Sequence, residues 1–480
     1  MVQSAFLVMV IARLAALAAG VVAFAVTGRL LEPQEFGHFA VALAAWTLLS
    51  AVSEFGLRSF LIRERDLEPE DPGRALGLAL ALSAACAALM ALVALALPER
   101  LASPGAVLAA LILAPALVPA AASSVAEALL QRVLDFRLIS RVTVLRAVLD
   151  GAVAIGLALA GFGVAALAAA VLVSHLVATA VLVAWGGHAA ALRPRLSGWA
   201  RFVRFGLRVS GTSILPNATG FALIAALAGM QGAAVAGTYN RAKTVHQMLD
   251  RVVLQGLQPV VLPAIAQGLA GGLSAAQVHG RKIDYLVAVC WPTFALIALL
   301  APEIVRVLLG PGWEGAVPAV RILALTGLLF PVNLMSSKTF VATGHEAAFL
   351  RITAVQQAIA AGLGLLGAAI SLETFCLALV AAAGVKTAHV LRTAHRLFGG
   401  AEPGMGEIGR RGALIAAASL SGPLALVLSQ GAGLAPHWGP LPTLLAAAPL
   451  AALGWLAGLR LAGHALLDEA RALLRSRSGP

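Results

Sequence analysis

The sequence predicts an all-α, polytopic membrane protein of about fourteen transmembrane helices, built as two six-helix lobes followed by a C-terminal helix pair. Three observations carry that prediction. The chain of 480 residues is 60% hydrophobic and only 12% charged, with a mean hydropathy of +0.92, whereas a water-soluble fold needs a far larger charged surface. Its apolar residues gather into segments near the roughly 20 residues that cross a bilayer as a helix. Between those segments the arginines alternate, abundant in one loop and nearly absent from the next.

The segments fall near 6–30, 37–57, 75–97, 105–129, 147–161, 163–185, 205–229, 238–263, 284–309, 317–341, 350–370, 372–391, 412–430 and 439–463. The fifth is short, and the eighth is too polar for hydropathy alone to find. Residues 1–31 contain Arg13 and are longer than the apolar core of a cleavable signal, so the first segment is read as a retained span. With the N-terminus inside, the cytoplasmic loops hold Arg58, Arg63, Arg65 and Arg74, then Arg132, Arg137, Arg141 and Arg146. The later ones hold Arg281 and Lys282, Arg351, and the group Arg392, Arg396, Arg410 and Arg411. The opposite loops hold little beyond Arg29 and Arg100, which places both termini in the cytoplasm.

Midway lies a basic link, 186–208, with Arg193, Arg195, Arg201, Arg204 and Arg208 interleaved with Trp199, Phe202 and Phe205. Two readings stay open: a helix lying at the membrane surface, or an ordinary cytoplasmic loop held by its arginines. An internal repeat at an offset of 200 flanks it. GHFAVA at 37–42 and GTYNRA at 237–242 share a glycine, an aromatic two residues on and an alanine five on. The expected division is therefore an N-terminal lobe at 1–185, the link at 186–204, a C-terminal lobe at 205–395, and two additional helices with a basic tail at 396–480. The repeats would be parallel, as in transporters whose halves rock about a midplane site.

Polar side chains inside a bilayer are costly and each is a candidate for function. Arg13 is a cavity cation or an interfacial anchor, depending on where the first helix begins. Thr47, Ser50, Glu54 and Arg58 share one helical face, and Glu54 can pair with Arg58 at i, i+4, lining a cavity or sealing the helix end. Ser210, Ser213, Asn217 and Gly220 form a stripe that either faces the cavity or joins helices. The eighth segment is the most polar: Tyr239, Lys243, His246 and Asp250 fall on one face with Arg241 beside it, and such a helix must face protein or water. The expected lining residues are Arg13, Glu54, Arg58, Asn217, Arg241, Lys243 and Asp250.

Other signals are set aside. The +12 formal charge lies in loops between apolar spans rather than on a basic face, so no nucleic-acid partner is expected. Cys86, Cys290 and Cys376 have neither disulfide nor metal spacing. GLGLLG at 362–367 fits a dinucleotide glycine pattern but sits inside an apolar span without a preceding strand. No nucleophile set, nucleotide loop, metal site or cofactor site is read, so neither an enzyme nor an ATP-driven motor is expected.

GRLLEPQEFG at 28–37 and SEFGL at 53–57 resemble the opening of Wzx-type polysaccharide flippases of the multidrug/oligosaccharidyl-lipid/polysaccharide exporter superfamily. GTYNRA at 237–242 with LPAI at 262–265 resembles that family's eighth helix. LGPGWEGA at 309–316 with RILAL at 321–325 resembles the segment joining its ninth and tenth helices. The family's seventh helix often carries an acidic residue and ends in Gly-Arg; here those places hold Leu223 and Ala228-Gly229, so no charge site carries over there. The resemblance implies a flippase for polyprenyl-pyrophosphate-linked oligosaccharide in the bacterial inner membrane, serving exopolysaccharide, capsule or O-antigen synthesis by alternating access of two lobes. It implies as partners the lipid-linked oligosaccharide, membrane lipids, and polysaccharide polymerase and export proteins. Arginine suits a pyrophosphate, because its guanidinium keeps its charge and binds phosphate bidentately. The alternatives are a drug or small-molecule antiporter of the same superfamily, which would more typically use acidic residues, or a membrane polymerase or glycosyltransferase. Glu54, Asp250, Asp284 and Glu303 are the carboxylates able to take up protons.

Overall fold

A chain surrounded by lipid must satisfy its backbone hydrogen bonds internally, and helices do so within one segment. The computed structural model describes residues 2–64, 66–98, 103–186, 193–255, 271–272, 274–399, 403–436 and 438–467, without the side chains of 2–10, 249–255, 275, 341–342 and 346. Among the described residues there is no strand. The chain groups into two compact units, Met1–Asn240 and Arg241–Pro480.

The helices of the first unit are α1 (Val2–Leu30), α2 (Pro33–Glu54), α3 (Leu57–Arg63), α4 (Asp71–Ala96), α5 (Pro104–Leu113), α6 (Leu117–Arg132), α7 (Phe136–Leu159), α8 (Val164–Trp185), α9 (Ala200–Val209) and α10 (Gly211–Gln231). α11 (Ala233–Gln255) starts in this unit and continues past its end. The second unit holds α12 (Ala275–Leu299), α13 (Ala301–Leu308), α14 (Ala316–Ala342), α15 (Glu346–Ala368), α16 (Leu372–Phe398), α17 (Met405–Gly431) and α18 (Pro440–Leu461). Thirteen helical stretches among the described residues are long and apolar enough to cross a membrane. Two of these are composite: α2 with α3, and α5 with α6, the latter pair joined by a 3₁₀ turn at Ala114–Ala116 where Pro115 lacks an N–H to continue the ladder. α11 is 23 residues long but too polar to be counted with them, and it occupies the place of the expected eighth span.

Several boundaries differ from the expectation for one reason. α16 runs on to Phe398 and α17 starts at Met405, so Arg392, Arg396, Arg410 and Arg411 are helical, and the fifth and ninth spans differ likewise. The fifth span begins at Phe136, where Asp135 caps the helix by accepting from the Arg137 amide at 3.2 Å. Arg137, Arg141 and Arg146 thus lie on α7 and not in a loop. The ninth begins at Ala275 behind a capping box of Ser274 and Gln277, so Arg281 and Lys282 are helical, and α13 is a separate short helix. Arginines and lysines at a bilayer edge lower local hydropathy without ending a helix.

In the first unit α7 packs on α1 and α8, while α2 packs on α4, α5 and α10. Met90, Leu113 and Val164 lie in one core cluster there. In the second unit α12 packs on α14 and α17, α16 on α14 and α15, and α17 on α18. Val287, Phe340, Ile352 and Val390 form its largest described core.

Candidate functional site

The end of α2 departs from a straight helix. Phe55 and Gly56 have φ of 42° and 71°, so the chain turns before α3 begins. Glu54 and Arg58 are therefore not one turn apart on a single helix, and the expected pair between them does not form. Instead each reaches α6: the Ser124 hydroxyl donates to Glu54 Oε1 at 3.4 Å, and Arg58 pairs with Glu127 at 3.1 Å. Glu127 was legible in principle as an acid inside an apolar run, which needs a cation.

The basic link is fastened to the neighbouring acids of the α3–α4 connection. Arg195 pairs with Glu70 at 2.8 Å, and Arg201 with Glu64 at 3.2 Å and the buried Asp71 at 3.5 Å. Arg74 binds Glu68 and Glu70 from the other side, at 2.6 and 2.8 Å. α9 forms within the link, and its Phe202 is 1% exposed, its ring tilted against that of Phe60 with centroids 4.6 Å apart. One face of this amphipathic helix is thus spent on protein rather than on lipid.

The repeated glycines meet. A Cβ on Gly37 would fall on the Ala233 carbonyl, and one on Gly237 would fall on the Pro33 carbonyl and the Gly37 amide. The first turns of α2 and α11 therefore cross backbone to backbone, which only glycine allows. Beyond that crossing α11 carries the polar face. Tyr239 and Arg241 are 8% and 7% exposed, and Lys243 is half-buried. His246 Nε2 lies 3.2 Å from the Thr326 hydroxyl, and its ring is 5.3 Å from that of Phe294. The Asp250 side chain lies outside the described residues.

The remaining expected residues are placed as follows. Arg13 is exposed on α1. Asn217 on α10 is half-buried, and its amide donates to the Ser213 carbonyl at 2.9 Å. Nothing lies within 4 Å of where a Gly220 Cβ would stand, so the stripe is open at Gly220, unlike the glycines that join helices, while Ser210 at its other end is buried. In the second unit Asp284 is engaged by Arg411 at 3.2 Å and by the buried His464 at 3.4 Å. Trp455 donates to the Ala288 carbonyl at 2.7 Å, so the C-terminal helix pair is docked on α12 by polar as well as apolar contacts.

A helical bundle of this size, with a polar helix among apolar ones, has the fold of membrane exporters and flippases. It is similar to the lipid II flippase MurJ in an inward closed conformation, with a TM-score of 0.79 at 9% identity, covering 96% of this chain and 100% of that one. It is also similar to a multidrug resistance MATE family transporter of the MOP superfamily in an inward-facing conformation, with a TM-score of 0.60 at 17% identity over 80% of this chain and 94% of that one. The chain belongs to the polysaccharide biosynthesis protein family, whose model matches residues 26–318. It is 28% identical over 310 residues to the succinoglycan biosynthesis transport protein ExoT of Rhizobium meliloti (strain 1021), a match covering 64% of this chain and 63% of that protein, less than two thirds of the relative's length. The resemblance read in the sequence and the all-α polytopic class agree with these findings.

Proposed function

We propose that this protein flips polyprenyl-pyrophosphate-linked oligosaccharide across the bacterial inner membrane by alternating access of its two lobes, and that it makes or breaks no covalent bond. The observation that carries the reading is the cationic stretch of α11, Arg241 and Lys243, in a chain of the polysaccharide biosynthesis family. A pyrophosphate crossing an apolar barrier needs fixed positive charge on its route, and a half-buried lysine supplies it at low dielectric. Asn217 and the stripe that is open at Gly220 suit sugar hydroxyls, and Arg13 adds a cation. Glu54 and Arg58 are already engaged by α6, so in this proposal they fasten the α2–α3 elbow while the head group moves past. In this proposal the lobes span 1–185 and 205–395, joined by the link at 186–204 and followed by the helix pair at 396–480. Both termini are assigned to the cytoplasm from the loop arginines. Polymerase and export proteins are the expected downstream partners.

Deleting the gene tests the class. A flippase leaves lipid-linked oligosaccharide of full length on the cytoplasmic leaflet while its synthesis continues. Truncated or unpolymerised glycans with translocation intact would identify an assembly enzyme and overturn the proposal.

A further inference from the structure

A basic recess lies where α7 starts and α8 ends. A cavity of about 520 Å³ opens there, lined by Arg137 and Arg141, one helical turn apart, and by the exposed Trp185. Its floor is apolar, made by Leu138, Val142, Leu145 and Val181. Among the described residues Arg137 and Arg141, like Arg63, Arg204 and Arg208 but unlike Arg58, Arg74, Arg195 and Arg201, form no ion pair with a carboxylate. The one acid in the wall, Asp135, has an oxygen committed to the Arg137 amide as helix cap. The surface around the mouth is lipid-like in character: Trp185 is 73% exposed, and Val133 and Leu134 are 59% and 70% exposed.

We propose that this recess binds the head group of an anionic phospholipid. Arg137 and Arg141 take the phosphodiester, Trp185 sits at the ester level as interfacial aromatics do, and an acyl chain runs along the apolar floor. Guanidinium forks match phosphate oxygens. A soluble phosphate would gain nothing from four aliphatic side chains. An oligosaccharide, hydroxylated all round, would likewise leave the four aliphatic side chains unmatched. The recess is therefore a lipid site distinct from the polar face of α11, and its occupant ties the α7–α8 hairpin to the membrane edge.

The test is native mass spectrometry of the full-length protein extracted from vesicles of phosphatidylcholine mixed with phosphatidylglycerol. The wild type should retain phosphatidylglycerol in preference to phosphatidylcholine. R137Q/R141Q should bind it about thirtyfold more weakly, as expected for two basic contacts near an anionic surface. R392Q/R396Q removes the same charge at the same spacing from the end of α16 and should change retention less than about twofold. L138W keeps both arginines and fills the recess, so it should lose binding by about tenfold even if the charge variant folds poorly. Equal retention by wild type and L138W, or an equal loss in R392Q/R396Q, would overturn the proposal. Displacement of the lipid by millimolar inorganic pyrophosphate would overturn it too, because the site would then be one for soluble phosphate.

Discussion

α2 and α11 both open with a glycine whose missing side chain admits the backbone of the other helix, and both carry an aromatic two residues on and an alanine five on. After that shared start they diverge. α2 keeps its charged groups at its two ends, with Glu35 in the first turn and Glu54 in the last, where Glu54 and, past the elbow, Arg58 are taken up by Ser124 and Glu127 of α6. α11 strings Tyr239, Arg241, Lys243 and His246 along its length. The repeat thus retains a packing contact that tolerates no side chain, while the chemistry beyond it is free to change. Charges that close a helix end serve packing, whereas the charges strung along α11 are the ones the proposed function assigns to a polar substrate.

The comparison can be broken first at the crossing. Gly37→Ala and Gly237→Ala each put a Cβ into a backbone that cannot yield as a side chain would, so each should destabilise by about 3 kcal/mol, the upper end of overpacking costs. Thermal unfolding in detergent checks this, and a shift in only one of the two would break the equivalence of the copies. Glu127→Ala comes next. It strips Arg58 of its partner, but Arg58 is a third exposed, so the loss should be about 1–2 kcal/mol and should fall when Arg58→Met is added. On the α11 side, His246→Ala should cost about 1 kcal/mol, and Thr326→Val should add little to it, because both remove one hydrogen bond. Gly220→Ala should stay within about 0.5 kcal/mol, since open space receives the methyl group and alanine favours the helix. A large loss there would mean that the stripe is a packing surface.

The spans were legible because lipid contact leaves a hydropathy signal in nearly every turn. α11 was legible for the opposite reason, as its charges shared a face at helical spacing. The first turns of α7 and α12 were not, because Arg137, Arg141, Arg281 and Lys282 look like loop residues when the bilayer edge cannot be seen. The Glu54–Arg58 expectation failed because a helical wheel assumes a continuous helix, and the left-handed Phe55–Gly56 turn interrupts this one. The pairs Arg58–Glu127, Arg201–Asp71 and Asp284–Arg411 join residues distant in the chain, and sequence spacing carries no trace of them. The repeated glycines were visible as a pattern, but their mutual contact required three dimensions.

The most direct measurement of the central claim is glycan export, normalised to membrane protein level, for substitutions at Lys243. If α11 supplies the positive charge for the pyrophosphate, Lys243→Gln should insert and accumulate normally yet lose most export, and Lys243→Arg should retain part of it. Normal export by well-expressed Lys243→Gln would contradict the account.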